Sequence, residues 1–254
     1  MLRSILTSLL FCVITEDQLF GQELPPIQLD RPDQTECPFI VPKKYIQVEH
    51  GFTFERIDAN QKQISHPTSL IKYGCNKNVE LRLIAELVSQ SVSGHTDFGI
   101  APITLGFKSA LFEEKGILPK TSFIGHITTS NIGSSKFHTT YIAPAFRFTM
   151  QHTLTKKMSL AYNLGCEWNG ESAAQTYIYT LTTGVALTEK LGFYAELYGF
   201  LPKDNSADHR FDLGFTNLMS NNIMIDLSGG VGLTSNAPKG YMALGISYRF
   251  KAFK

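Results

Sequence analysis

The chain has 254 residues, and its 23 Lys and Arg nearly balance 22 Asp and Glu, giving a formal charge of +1. That balance supplies no field to gather nucleic acid. A mean hydropathy of −0.05 and the absence of any run of about 18 apolar residues beyond the N-terminus argue against a helical membrane span. With 20 Gly, 10 Tyr and only 18% charged residues, the composition suits many short strands and tight turns in one domain.

Arg3 followed by Ile5, Leu6 and the apolar stretch Leu9 to Ile14 predicts a signal peptide over residues 1–22, cleaved near Gly21 or Gln22. Leu10 and Phe11 ahead of Cys12 do not fit a lipoprotein site. Cys37, Cys75 and Cys166 then remain, too far apart for a CxxC or zinc arrangement. A Cys37–Cys75 disulfide is open to an oxidising compartment, and three isolated thiols are the default. Residues 23–44 carry Pro25, Pro26, Pro32, Pro38 and Pro42 with no apolar period, which predicts an extended leader. Its Asp30, Arg31 and Asp33 either plug a lumen by pairing with charges there or belong to a disordered tail.

From Tyr45 the chain alternates. Ile46, Val48, Phe52 and Phe54 fall on one parity and Gln47, Glu49, Gly51 and Thr53 on the other; Met242, Leu244, Ile246, Tyr248 and Phe250 oppose Ala243, Gly245, Ser247 and Arg249. Such segments recur near 45–56, 65–74, 78–88, 98–111, 119–129, 138–151, 156–168, 176–188, 190–201, 209–218, 222–233 and 240–250. About twelve strands, most of roughly 9–11 residues, are what an antiparallel transmembrane β-barrel over residues 45–254 requires, and closure removes edges that lipid could not satisfy. Alternation by itself also suits a soluble sandwich with the apolar parity inside. Tyr45, Phe112, Tyr177 and Tyr241 at strand ends are candidates for interfacial girdles. Glu49, Glu80, Arg82, Arg147, Glu196, Asp212, Asp226 and Arg249 lie on the polar parity and are the expected lumen-lining residues, since charges within a span face water or one another.

No phosphate loop, HExxH or GxSxG occurs. A lipid hydrolase built on a barrel needs a base and a nucleophile two residues apart on one strand face. No His-x-Ser exists, and only His126 with Thr128 and His138 with Thr140 have that spacing. No catalytic residue, metal or cofactor is expected.

Leu29-Asp30-Arg31-Pro32-Asp33-Gln34-Thr35-Glu36, then Pro38-Phe39-Ile40-Val41-Pro42-Lys43 and the strand Tyr45-Ile46-Gln47-Val48-Glu49, resemble the opening of the meta-pathway phenol-degradation family. Cys37 stands where that family usually has Ser, and Lys44 where it usually has Gly. The resemblance implies a channel-like barrel in the Gram-negative outer membrane that admits small hydrophobic or aromatic solutes. The partners to expect are outer-membrane lipids, the barrel-assembly machinery and an unidentified small solute. A closed barrel without conductance, made for contacts in the envelope, is the alternative. Tyr248-Arg249-Phe250 ends the last strand as in outer-membrane proteins that finish on Phe, with Lys251 to Lys254 overrunning it.

Overall fold

A computed structural model describes residues 24–253; the expected signal segment lies outside the described residues. The strands are β1 (Tyr45–Arg56), β2 (Gln61–Gly74), β3 (Val79–Val92), β4 (His95–Ile100), β5 (Thr104–Phe112), β6 (Lys120–Thr128), β7 (Ala143–Thr153), β8 (Met158–Trp168), β9 (Gln175–Ala186), β10 (Leu191–Pro202), β11 (Asp208–Ser220), β12 (Ile223–Gly232) and β13 (Gly240–Lys251). Neighbours pair antiparallel, and β1 closes on β13 from Tyr45 opposite Lys251 to Arg56 opposite Gly240. β3 carries β4 on Leu87–Val92 and β5 on Val79–Ile84, so the thirteen segments make a closed barrel of twelve staves. β1 begins and β13 ends at one rim, called here the terminal rim.

The faces settle which way the alternation points. Leu81, Leu164, Leu227 and Leu244 are more than half exposed on the outside, whereas Glu80, Asn163, Asp212 and Ser247 are fully buried inside. A soluble sandwich would have the reverse. The inside is narrow, as about twelve strands dictate, and the leader fills it.

Two strands depart from the simple pattern. The segment expected as one strand over 98–111 is broken at Ala101-Pro102-Ile103, because Pro102 has no N–H to give a ladder. The outward parity changes there, from Phe98 and Ile100 to Leu105 and Phe107. Beyond the break β4 has no strand on its second edge. Ser134 stands in, its N–H donating to the Ile100 carbonyl at 2.8 Å and its Oγ accepting the Ile100 N–H at 3.0 Å. β2 begins at Gln61 rather than near 65, because the pairing with β1 and β3 slips across His66-Pro67. That slip moves the outward positions from Ile64 and His66 to Ser69, Ile71 and Tyr73, as an inserted residue must. Residues 138–142 are not strand: a 3-10 turn at Ser135–Phe137 and irregular chain precede β7.

Phe112 and Tyr177 are exposed on the outer face. Tyr45 shares the inward parity of Gln47, and Tyr241 also turns inward, where its hydroxyl donates to Asp212 at 2.5 Å. Tyr241 is therefore a lumen residue and not part of a girdle.

Candidate functional site in the barrel lumen

The leader enters the lumen from the terminal rim. Ile27 donates its N–H to the Asn221 carbonyl at 2.9 Å, and the Arg249 guanidinium donates to the Pro25 carbonyl at 2.7 Å. The Gln47 amide then holds the Gln28 carbonyl at 2.7 Å. With no hydrogen-bonding period of its own, the segment satisfies its backbone on side chains of the wall.

Asp30 is the centre of one half. Its Oδ2 receives Lys72 Nζ at 2.9 Å and Arg82 at 3.0 Å. Its Oδ1 receives Lys108 Nζ at 2.6 Å and the Cys37 N–H at 3.0 Å. The Asp30 N–H donates to Glu49 at 3.0 Å. Lys72 also pairs with Glu49 at 2.5 Å, and Arg82 with Glu36 at 2.5 Å and Glu80 at 3.3 Å. Burial pushes the Asp30 carboxyl up, but Lys108, Lys72 and Arg82 together hold it well below the ordinary carboxylate range. Further along, Glu80 accepts the Val41 N–H at 2.8 Å, and Lys108 and Ser122 donate to the carbonyls of Cys37 and Pro38 at 2.8 and 2.7 Å.

The opposite half has a different character. Arg31 reaches Asp226 at 3.0 Å through a gap that glycine leaves: Gly51 and Gly245 face each other across the β1–β13 pair. A Cβ on Gly51 would overlap the Arg31 guanidinium, and one on Gly245 would overlap the Asp226 carboxylate. Glu196 accepts the Gln34 N–H at 2.7 Å and the Thr35 hydroxyl at 2.5 Å. Asn163 grips the Glu36 backbone at both ends, at 2.8 and 3.0 Å, and Arg147 donates to the Gln34 carbonyl at 3.2 Å. Asp33 is half-buried and lines a cavity at the terminal rim with Thr182 and Tyr194; burial, followed by the Asp212 charge, pushes its carboxyl up to about 8.

Thus Glu49, Glu80, Arg82, Arg147, Glu196, Asp226 and Arg249 all lie inside and touch the leader, while Asp212 lies inside opposite Glu196. Lys72, Lys108, Asn163, Ser122 and the glycine pair complete the site and were not singled out from sequence. The strict parity was the available signal for Lys108, between outward Phe107 and Ser109.

Two cavities flank this contact belt. One of about 580 Å³ opens at the rim far from the termini and is lined by Glu167, Thr176, Phe200, Pro202, Asp208 and Arg210, among others. The other, of about 460 Å³, opens at the terminal rim and is lined by Ile27, Leu29, Asp33, Thr182, Tyr194 and Met224, among others. On β8, β9 and β10 the leader-bound Asn163, Thr180 and Glu196 fall between the two linings.

The hydrolase arrangement does not form. His126 sits in the lumen with Nε2 unpartnered, and Thr128 bonds Thr104 instead. His138 is in an exposed loop, where its ring meets the Gly133 carbonyl and Thr140 donates to Glu171. Cys37, Cys75 and Cys166 are free thiols, so the Cys37–Cys75 disulfide is absent; the Cys37 backbone is fixed at Asp30 and Lys108, whereas Cys75 starts the turn from β2 to β3.

No curated protein sequence matches the chain significantly. Among solved structures it is similar to the COG4313 outer membrane channel from Pseudomonas putida F1, with 11% identity, a TM-score of 0.65, and cover of 87% of this chain and 99% of that one. It is also similar to the KdgM porin, at 11% identity and a TM-score of 0.54, covering 81% and 99%, and to the NanC porin, at 8% and 0.54, covering 80% and 98%. These likenesses establish the barrel fold. A family model described as "Putative MetA-pathway of phenol degradation" matches residues 29–250, from the head of the leader to the end of the last strand, and the chain belongs to that family.

Proposed function

We propose that the protein is a passive channel of the Gram-negative outer membrane for small hydrophobic or aromatic solutes, with residues 24–43 as its internal plug. The observation that carries this reading is the leader itself, bonded to side chains of nearly every stave between two cavities that open at opposite rims. A wall that serves only as a shell has no need of so many inward charges, because buried ion pairs do not outcompete apolar packing. The apolar outer band would face outer-membrane lipid, the terminal rim would face the periplasm, and insertion would use the barrel-assembly machinery. The family description supports an aromatic solute. Selection would come from pore width and lumen charge without covalent chemistry.

The test is single-channel recording and liposome swelling on the full chain and on Asp30→Asn, together with uptake of labelled phenol by cells that express each. A small conductance that grows in Asp30→Asn, accompanied by faster phenol entry, is expected. No conductance in either protein and no effect on uptake would remove the channel reading. The filled lumen would then favour the second reading, a closed barrel whose loops serve contacts in the envelope.

A further inference from the structure

The central lumen brings eight carboxylates together with five cationic side chains. Asp30, Glu36, Glu49, Glu80 and Asp226 pair with Lys72, Arg82, Lys108, Arg147 and Arg31. Among the described residues Asp33, Glu196 and Asp212 have no cation within ion-pair distance. All three are held at one place: Glu196 and Asp212 stand opposite each other in the β10–β11 pair, Glu196 accepts the N–H of Gln34, next in sequence to Asp33, and Asp33 lines the terminal-rim cavity with Thr182 and Tyr194 of β9 and β10. Carboxylates gathered this closely repel one another when ionised, and a proton held by one of them relieves that repulsion.

Besides Arg31, the other charges that share the terminal-rim cavity with Asp33 are Lys156, Lys157, Glu189 and Lys190, and none of the three lysines is within ion-pair distance of the three carboxyls. The leader presents Asp30 and Arg31, the latter committed to Asp226 on β12. β9 contributes the hydroxyls of Thr180 and Thr182, β10 contributes Tyr194 and Tyr198, and β13 contributes Tyr241. On β11 Arg210 is committed to Asp208 and Glu55, at 2.5 and 3.0 Å. Ser228 on β12 and Tyr194 are buried with unpartnered hydroxyls, and so is Asp212 Oδ1. Ionising all three would set a half-buried carboxylate against two that are fully out of water, at a large cost in repulsion and desolvation.

We propose that Asp33, Glu196 and Asp212 form a proton-operated clasp: shared protons hold the leader against β9–β11, and their loss drives the leader out of the lumen. The exchange route is the cavity at the terminal rim, which Asp33 and Tyr194 line. The clasp joins one leader carboxyl to two wall carboxyls, so ionisation creates repulsion across the seam that must part. A carboxyl whose affinity for protons is raised in the docked state favours docking below its free value, near 4, and that preference is lost as pH rises through the docked value. For Asp33, pushed up to about 8 by burial and then by Asp212, the window ends just above neutrality.

The inference rests on the leader being a plug, and it is read through a thiol, so it stands or falls apart from conduction. Cys37 is the buried thiol of the leader, and Cys12→Ser, Cys75→Ser and Cys166→Ser leave it alone in the full chain. Its labelling by a membrane-impermeant maleimide would be measured in lipid vesicles from pH 6.5 to 9. Dividing by the rate of the urea-unfolded chain at the same pH removes the intrinsic titration of the thiol. Protection should fall at least about tenfold across that range. In Asp33→Asn, which leaves the barrel wall untouched, most of the fall should vanish, and the Glu196→Gln, Asp212→Asn pair should flatten it. Protection that stays level in the parent chain, or a fall that persists undiminished in Asp33→Asn, would overturn the clasp.

Discussion

The two halves of the lumen hold the same leader by opposite means. On the β1–β5 side one leader carboxylate, Asp30, meets Lys72, Arg82 and Lys108, and Glu49 and Glu80 complete a closed set of ion pairs. On the β9–β11 side another leader carboxylate, Asp33, feels the Asp212 charge where Glu196 and Asp212 stand opposite each other, with no cation within ion-pair distance. Two residues, Arg31 and Pro32, separate a carboxylate whose charge is needed from one whose charge is unwelcome. The difference shows that one plug can be held by charge pairing along one part and by shared protons along another, and that the character of each part is set by the wall.

The largest test of that contrast is Asp30→Asn. It is nearly isosteric, yet it leaves three buried cations short of a partner, a change of about 3 kcal/mol or more. Cys37 protection at pH 6.5 should drop on the order of a hundredfold, with conductance rising in step. Asp33→Asn at pH 8.5 should act in the opposite direction and raise protection about tenfold, because it deletes the repelling charge. If both changes loosened the leader equally, the halves would not differ in kind.

A smaller effect is expected at the seam between the halves. Gly51→Ala places a methyl group where the Arg31 guanidinium lies, and crowding of this sort costs about 1–2 kcal/mol. The temperature at which the barrel loses its compact migration in detergent gels should fall. Arg31→Ala should also weaken leader docking by removing the Asp226 partner, but adding Gly51→Ala to it should cost almost nothing further, since the two share one contact. Strict additivity would mean that Gly51 matters only to its own strand.

Much of this architecture was legible in alternation alone. Parity placed β1 and β13 residue for residue and put Glu80, Arg82, Glu196 and Asp212 on the inner face, because a period of two fixes orientation once one face is apolar. It failed where the period itself changes: the slip at His66-Pro67 hid the start of β2, and Pro102 lies inside a run read as continuous although the outward residues switch from even to odd numbers across it. Tyr241 was assigned by its type, as an aromatic at a strand end, when its parity with Ala243 and Arg249 already placed it inside. The leader was beyond such reading altogether. Its partners are scattered from Gln47 to Arg249, and no local pattern in Asp30-Arg31-Pro32-Asp33 distinguishes the carboxylate that will face lysines from the one that will face acids.

The smallest expected effect lies where the leader becomes the barrel. Lys44 has φ of 67°, a left-handed conformation that costs a side-chain-bearing residue about 1–2 kcal/mol, at the position where the resemblance calls for glycine. The hinge is tied at both neighbours: the Lys44 N–H donates to the Gly74 carbonyl at 2.8 Å, its carbonyl accepts the Ala252 N–H at 2.8 Å, and the Tyr45 N–H donates to the Pro42 carbonyl at 3.0 Å. Lys44→Gly removes the steric penalty but gives the unfolded chain more freedom, so the net gain should be under about 1 kcal/mol. It should appear as a slightly higher unfolding temperature with Cys37 protection unchanged at every pH. A change in protection would instead mean that the hinge conformation, and not the two walls, sets how the leader is held.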